Sequence, residues 1–198
     1  MTPRGTTRGR PRTFDRDAAL DQAIRLFWRK GYEATSVRDL SEELRIGQPS
    51  LYNAFGGKRT LFDEALDVYE HTYGEFVSTA LTEEATAALA MRRILAEAPA
   101  RYTRRGLPRG CLVISGDAGT DDPEVRAATS RIRGDKLERL RHKIEADITK
   151  GLLPDDTDAK GLAGYVMSVL SGLVQRARDG ASRRELARTA SIAARALP

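Results

Sequence analysis

Four polar side chains suited to reading nucleic acid are concentrated within residues 48–53. Gln48 and Asn53 carry amides that can pair with two atoms on an adenine edge, and the hydroxyl of Ser50 can donate or accept a hydrogen bond. The hydroxyl of Tyr52 can reach a backbone phosphate. These residue types could therefore recognise DNA, provided that one rigid element presents them together.

A short helix over about residues 49–55 would present these side chains. Pro49 fits near the helix start, where its missing N–H costs nothing, and Leu51 and Phe55 form an i, i+4 pair that can face a core. We expect Gly47 to let the preceding turn form without a clash from a Cβ atom. The polar residues would then lie on the outer face.

Two more helices are predicted ahead of this one. Asp15 can cap the first, and Gly31 can end it. Ser36 and Asp39 have the spacing of a capping box for the second, whose apolar stripe includes Leu40. Three short helices with a tight turn between the last two match the helix-turn-helix arrangement, in which the final helix enters the major groove of DNA.

The excess positive charge is located in the first third of the chain. Of 33 Lys and Arg and 28 Asp and Glu in total, residues 1–62 contain twelve and seven, whereas residues 63–198 contain 21 of each. A basic module joined to a neutral one suits a polyanion such as nucleic acid. Charge alone is equally compatible with a solvated arginine-rich face, because Arg outnumbers Lys by 27 to 6 throughout.

The first thirteen residues contain Gly, Thr, Pro and Arg without apolar periodicity, which predicts a disordered basic arm over residues 1–13. Arg8 and Arg10 lie in an Arg-Gly-Arg-Pro sequence that resembles the minor-groove hooks that insert arginines into A·T-rich DNA. A generic basic tail is the alternative. Either would strengthen DNA binding through counterion release.

Three runs of sequence, residues 31–40, 49–55 and 58–62, together resemble the DNA-binding domain of the tetracycline-repressor (TetR/AcrR) family of transcriptional regulators. The resemblance implies that residues at the start of the recognition helix meet base edges and that residues around it meet the DNA backbone. Carried over by position, the base-contacting set is Gln48, Pro49 and Ser50, with Asn53 at a frequently contacting place. The backbone set is Thr35, Ser36, Arg38, Tyr52 and Lys58.

The remainder of the chain is also predicted to be helical. Apolar spacing indicates helices from Lys58 to about Ala80, between Glu83 and Arg105, from Asp122 to about Gly151, over residues 162–174 and over residues 184–196. The apolar run at residues 109–116 fits a strand or a buried helix, and we favour the helix because no partner strand is evident elsewhere. We therefore predict an all-α fold of about nine helices, with a helix-turn-helix domain at residues 14–60 and a larger helical domain at residues 61–198.

Two roles are expected for the larger domain. Residues 162–174 are apolar on more than one face, so that with the last helix they could pair with the same helices of a second chain. The resemblance implies this homodimer, which would read two half-sites about 34–36 Å apart or a multiple of that. It also implies a pocket for a small-molecule effector that releases the protein from operator DNA. Candidate lining residues, each of which could instead be ordinary core, are Phe76, Tyr102, Leu107, Cys111, Val113, Tyr165 and Met167.

The sequence contains no motif for catalysis or for a bound metal. His71 and His142 are isolated and fit the solvated surface of helices. Cys111 is the only cysteine, which excludes an internal disulfide; it is either a small buried hydrophobe or a reactive sensor thiol. We expect no enzyme activity, no cofactor and no metal. We also expect a cytoplasmic location, because no apolar segment suits a membrane span or a secretory signal.

Taken together, these patterns predict a sequence-specific DNA-binding transcriptional regulator, more often a repressor in the resembling family. Two alternatives remain open. One is a small helical enzyme or ligand-binding protein with an incidental basic arm, and the other is an architectural DNA binder without sequence preference.

Overall fold

The computed structural model describes residues 15–198 of the chain. This part of the chain contains ten α-helices and no strand. The helices are α1 (Arg16–Lys30), α2 (Val37–Leu44), α3 (Gln48–Phe55), α4 (Lys58–Thr72), α5 (Phe76–Glu83), α6 (Ala87–Tyr102), α7 (Leu112–Ser115), α8 (Pro123–Thr149), α9 (Ala159–Arg178) and α10 (Arg183–Ala194). The all-α prediction is confirmed, with one helix more than expected. The predicted arm, with Arg8 and Arg10, lies outside the described residues.

Local capping signals set several helix starts. Asp15 accepts a hydrogen bond from the N–H of the third residue of α1 at 3.1 Å. Ser36 with Asp39, and Ser182 with Glu185, form complete capping boxes at the starts of α2 and α10. Each cap satisfies an N–H group that has no partner inside the helix, which stabilises the start by about 1 kcal/mol.

The fourth helix ends before Gly74 instead of continuing to about Ala80. The N–H groups of Tyr73 and Gly74 both donate to the carbonyl oxygen of Tyr69, at 2.9 and 2.8 Å. A Cβ atom at residue 74 would lie 2.6 Å from a carboxylate oxygen of Glu70, so glycine permits this close approach. Apolar spacing continues across the break into α5, and periodicity alone therefore predicted one long helix.

The two segments that the sequence left uncertain are helical. The helix expected between Glu83 and Arg105 is α6, which is capped by Thr86 and includes Pro99 in its last turn. Within residues 109–116 the helix α7 is limited to a single turn. The preference for a buried helix over a strand is therefore confirmed.

One continuous cluster of buried apolar side chains extends from α1 to α10. We call α1–α3 the head and α5–α10 the body, and α4 connects the two. The rings of Phe27 in α1 and Phe62 in α4 meet edge to face with centroids 5.0 Å apart. Because the cluster is continuous, the head packs directly on α4 and on the body. Within residues 15–198, no helix combines the length and the apolar character needed to cross a membrane.

Candidate nucleic-acid interface

The helix-turn-helix unit consists of α2 and α3, which pack through their apolar faces. Leu40 and Leu44 of α2 and Leu51 and Phe55 of α3 are all buried. Burial of a side chain of this size contributes roughly 1.5–3 kcal/mol. Together these contacts hold the two helices as one rigid unit, which fixes the position of whatever the outer face of α3 presents.

The turn between the two helices differs from the expectation for Gly47. The left-handed residue is Arg45, with φ 55° and ψ 41° at the end of α2. Gly47 has φ −67°, and a Cβ atom there would meet only the Cδ atom of Pro49, at 3.7 Å. The prediction that the turn needs glycine at residue 47 is therefore wrong. A non-glycine residue in the left-handed region costs roughly 1–2 kcal/mol, so Arg45 stores a small strain in the turn.

The residues predicted to contact base edges all lie on the outer face of α3. Gln48, Pro49, Ser50 and Asn53 are exposed. Tyr52 is 52% exposed, so its aromatic ring is not part of the hydrophobic core. The structure thus brings amide, hydroxyl and phenol groups together on one face of a short helix.

Tyr52 rests against the double-glycine turn that leads into α4. Gly56 and Gly57 have φ values of +76° and +132°. A Cβ atom at residue 57 would lie 3.3 Å from Cε1 of Tyr52. Glycine is required at residue 57 both for its backbone conformation and for the seating of the tyrosine ring.

Lys58, at the start of α4, is half-buried. Its Nζ atom lies 4.0 Å from the centroid of the Tyr32 ring. Burial lowers the pKa of Lys58, whereas the charges of Glu33, Asp122 and Asp39 act to raise it. A partly desolvated ammonium interacts more strongly with an approaching phosphate than a fully hydrated one does.

The residues predicted to contact the DNA backbone near α2 differ in exposure. Thr35 is fully buried, and its hydroxyl donates to the carbonyl oxygen of Gly31 at 2.6 Å. Its side chain therefore stabilises the loop from inside and does not reach the surface. Ser36 and Arg38 are exposed, and Arg38 pairs with Glu42 at 2.8 Å on the same helix.

One residue that supports this face was missed by sequence reasoning. The guanidinium of Arg16 donates to both carboxylate oxygens of Glu64, at 2.6 and 2.7 Å, and to the carbonyl oxygen of Ala54, at 3.3 Å. Arg16 thereby ties α1 to the last turn of α3 and to α4. Arg16 and Glu64 are 48 residues apart, so no local pattern could indicate the contact.

The candidate effector residues are divided between the core and the surface. The buried ones are Phe76, Tyr102, Cys111 and Val113. Leu107 lines a groove beside the α6–α7 loop, and Tyr165 lines another at the start of α9. Met167 is half-buried, and because it lies two residues after Tyr165 it faces a different side of α9. The structure therefore does not bring all seven residues into one pocket.

The surroundings of Cys111 are more polar than the apolar run in its sequence indicated. Tyr69 and Tyr102 both lie close enough to the Cys111 thiol to interact with it electrostatically, and burial raises the pKa of both tyrosines well above the usual value. The Trp28 ring meets the Tyr69 ring edge to face, with centroids 5.0 Å apart. The Nε1 atom of Trp28 is buried without a hydrogen-bond partner among residues 15–198. We call Trp28, Tyr69, Tyr102 and Cys111 the buried polar cluster.

The histidines lie on helix surfaces. Nδ1 of His71 is 2.7 Å from the carbonyl oxygen of Asp67, and Nδ1 of His142 is 3.3 Å from a carboxylate oxygen of Glu145. In the described part of the chain, no three His, Cys, Asp or Glu side chains are grouped so that they could hold a metal ion.

Comparison with known proteins identifies the family. A model described as bacterial regulatory proteins, tetR family, matches residues 19–65, and one described as Tetracyclin repressor-like, C-terminal domain, matches residues 88–193. The chain belongs to the TetR family. The HTH-type transcriptional repressor ComR of Escherichia coli K12 is 34% identical to this TetR-family chain over 196 residues, which cover 97% of the chain and 93% of ComR. The HTH-type transcriptional repressor BdcR of the same strain is 32% identical over 190 residues, 96% of this chain and 92% of BdcR.

A solved structure extends the likeness to the whole fold. The TetR family transcriptional regulator CifR, as a cysteine mutant in complex with 26-bp double-strand operator DNA, is similar with a TM-score of 0.87 and 40% identity. The match covers 96% of this chain and 100% of that of CifR. The resemblance first seen in residues 31–62 thus continues through the body. The predicted fold and the predicted role as a DNA-binding transcriptional regulator are confirmed.

Proposed function

We propose that this TetR-family chain represses transcription as a homodimer, which binds an inverted-repeat operator and leaves it when a small-molecule effector binds. The observation that carries the proposal is the exposed polar face of α3 on a helix pair whose opposite faces are buried. Base-edge hydrogen bonds discriminate between sequences only when donors and acceptors are held in a fixed position.

The proposed contacts follow the exposure of each residue. Gln48, Ser50 and Asn53, with Pro49 between them, meet base edges, and Tyr52 meets a phosphate. Lys58 meets a second phosphate, while Ser36 and Arg38 contribute at the start of α2, where the positive end of the helix dipole favours an anion. Thr35 acts only indirectly, through the loop that it stabilises. The similar CifR chain was solved with operator DNA, which supports this mode of binding.

The proposed dimer forms through α9 and α10. Tyr165 and Ile192 remain 36% and 61% exposed on these helices. A Cβ atom at Gly164 or Gly172 would meet no other described atom within 4 Å. Nothing within one chain therefore requires glycine at these positions, whereas a closely packed partner helix would. A two-fold pairing of both helices would cover these surfaces and set the separation of the heads.

The proposed effector site is the buried polar cluster, with Phe76 and Val113 beside it. The ring of Phe76 meets that of Tyr102 edge to face at 5.9 Å. Buried hydroxyl, thiol and indole N–H groups in an apolar surrounding could fix the orientation of a small molecule. In the proposed dimer the two heads can be spaced either to fit the operator or to release it. A small molecule lowers operator affinity only to the extent that it binds more tightly to the releasing arrangement than to the one that fits.

The same proposal gives the chain no catalytic role and places it in the cytoplasm, where its operator DNA lies. Catalysis would require a nucleophile or an acid–base pair at a cleft, and the exposed groups of α3 are instead arranged as hydrogen-bond donors and acceptors.

The test of the function is a gel-shift titration with DNA that flanks the coding sequence and contains an inverted repeat, against shuffled DNA of the same composition. Selective retardation of the flanking DNA is the expected result. Equal retardation of both would favour an architectural DNA binder. Absence of binding at low salt would favour a small helical enzyme or ligand-binding protein.

The dimer is tested separately by sedimentation. Ile192→Glu should yield monomers that bind the operator weakly, because the charge lies in the proposed interface. Leu152, which is 55% exposed in the loop before α9, supplies the control. Leu152→Glu should remain dimeric, and dimers of Ile192→Glu would contradict the proposed interface.

A further inference from the structure

A surface groove of about 560 Å³ lies where the head meets the body. Its walls come from the end of α1, the α6–α7 loop and the end of α9. The lining residues are Arg29, Leu107, Pro108, Arg109, Gln175, Arg178 and Asp179. We call it the arginine groove.

The groove carries an excess of positive charge, with three arginines against one aspartate. The aspartate, Asp179, already accepts a hydrogen bond from Gln175 at 2.9 Å. Arg109 donates from Nε to the carbonyl oxygen of Ala177 at 2.7 Å and from Nη2 to that of Ala181. Its Nη1 group is left without a partner among residues 15–198.

Arg178 is also held by uncharged groups. Its Nη1 group donates to the carbonyl oxygen of Trp28 at 3.4 Å and to the hydroxyl of Ser115 at 3.3 Å. The third arginine, Arg29, has only a 3.3 Å contact with Glu43, and half of its side chain is exposed. Within the described residues, neither Arg109 nor Arg178 forms an ion pair with a carboxylate, so the groove contains two guanidinium groups that are held only by uncharged partners.

The close placement of these guanidinium groups depends on Gly110. This residue has φ +89°, and a Cβ atom there would lie 3.1 Å from Cγ of Arg178 and 3.2 Å from Cγ1 of Val174. Glycine therefore lets the α6–α7 loop lie directly on α9. Because Arg109 is anchored to two carbonyl oxygens, less side-chain entropy is lost when it binds a ligand than for a free surface arginine.

We propose that the arginine groove binds a small organic anion through a phosphate or carboxylate group. Guanidinium groups bind both with paired, charge-assisted hydrogen bonds, and Leu107 and Pro108 offer apolar contact for the rest of the molecule. The groove includes no residue of α3 and none of the buried polar cluster, which it adjoins where Arg178 donates to the carbonyl oxygen of Trp28. An anion bound there connects Arg29 of the head with Arg109 and Arg178 of the body.

The binding test uses a fluorescence signal that the protein already contains. Trp28 is the only tryptophan, it precedes Arg29, and its carbonyl oxygen accepts from Arg178. We would titrate the full chain, without DNA, with inorganic phosphate in one arm and citrate in the other, against sodium chloride at equal ionic strength. A saturable change with either anion is the expected result, and the arm that saturates at lower concentration identifies the preferred group.

Two double variants assign the signal to the groove. Arg29→Gln/Arg178→Gln removes two groove charges and should weaken anion binding about tenfold or more. Arg126→Gln/Arg183→Gln removes the same charge from exposed positions outside the groove and should bind as the wild type does. Arg109 is left in place because it also holds the end of α9. If the groove double variant fails to fold, Arg29→Gln alone should still weaken binding.

Three outcomes would overturn the proposal. The first is a response to phosphate and citrate no larger than that to chloride. The second is equal binding by the groove variant and the control variant. The third is a loss of operator affinity by the groove variant in anion-free buffer, which would assign the arginines to the DNA backbone. Since the titration contains no DNA, its failure would leave the proposed repressor function unaffected.

Discussion

The backbone N–H of Tyr32 donates a 2.8 Å hydrogen bond to the carbonyl oxygen of Gly116, which joins the loop after α1 to the loop after α7. Beside it, the hydroxyl of Thr120 donates to a carboxylate oxygen of Glu33 at 2.9 Å. The ring of the same Tyr32 lies beneath the ammonium group of Lys58. The head is therefore connected to the body through this pair of loops as well as through α4. A rearrangement around α7 therefore has a direct path to Lys58, the proposed phosphate contact.

Removal of the Thr120 hydroxyl should loosen this connection. Thr120 is buried, and its hydroxyl also accepts from the N–H of Asp122 at 3.2 Å. Thr120→Val should lower the free energy of unfolding by about 1–3 kcal/mol, because it removes the hydrogen bonds that Thr120 makes with Glu33 and with the N–H of Asp122. It should also speed hydrogen exchange of the Tyr32 amide. Thr149→Val is the control, since the exposed Thr149 hydroxyl bonds only within its own helix. Unchanged exchange at Tyr32 would show that the loops are held in another way.

The ion pair between Lys136 of α8 and Glu70 of α4 should stabilise the packing of α4 on the body. Their charged atoms are 2.7 Å apart, with side chains only 10% and 16% exposed, and Lys136 also donates to the carbonyl oxygen of Gly74. Lys136→Met should destabilise the fold by about 3–5 kcal/mol, because it leaves a carboxylate buried without a partner. Lys136→Met combined with Glu70→Leu should recover much of the loss. Urea unfolding measures both, and equal destabilisation by the single and double variants would contradict this account.

Acid should weaken the link between α1 and α2. The Lys30 ammonium, 2.6 Å away, and the Ser36 hydroxyl hold the pKa of Asp39 well below its usual range. A carboxyl whose pKa is lower in the folded state stabilises the fold above its unfolded pKa of about 3.9, and this contribution is lost as pH falls toward the folded value. The stability advantage of the wild type over Asp39→Asn should therefore be constant above about pH 5 and shrink below about pH 4.

Urea midpoints over a pH series measure this effect. Lys30→Met should reduce the pH dependence, because the hydrogen bond from Lys30 is the largest cause of the lowered pKa. If the stability advantage of the wild type over Asp39→Asn increased as the pH was lowered, the proposed role of the Asp39 carboxylate would be wrong.

Residues proposed to contact bases and residues proposed to contact phosphates should respond differently to substitution. Lys58→Ala and Tyr52→Phe should weaken binding to all sequences, and Lys58→Ala should reduce the salt slope by about 1. Gln48→Ala should relax preference at particular base pairs, by about 1–3 kcal/mol each. Binding titrations at several salt concentrations separate the two effects. Lys160→Ala, at an exposed position in the first turn of α9, serves as the charge control. If Gln48→Ala lowered affinity uniformly, the assignment of direct readout would be wrong.

Features that depend on neighbouring residues could be predicted from the sequence. The capping box of Ser36 and Asp39, the i, i+4 pair of Leu51 and Phe55, and the exposed outer face of α3 involve residues within a few positions of one another. Their geometry follows from helix periodicity. The same local patterns resemble those of the TetR family, and this resemblance allowed the family to be predicted from the sequence.

Features that depend on distant segments could not be predicted in this way. The bond from Arg16 to Glu64 and the contact of Tyr32 with Gly116 join positions far apart in sequence. From the sequence Thr35 was expected at the surface, but the folded loop buries it. The left-handed residue of the turn is Arg45 and not the nearby Gly47. The break at Gly74 depends on where the Glu70 side chain lies.

The sequence by itself determined the helices, the basic head and the polar face of α3, because hydrophobic spacing, capping and charge are local properties of the chain. Only the tertiary structure decided that Cys111 lies among buried hydroxyl groups and that Arg29, Arg109 and Arg178 share one groove. Burial and the clustering of charged groups depend on which segments pack together. Packing brings together residues that are far apart in the sequence, and no local pattern indicates such contacts.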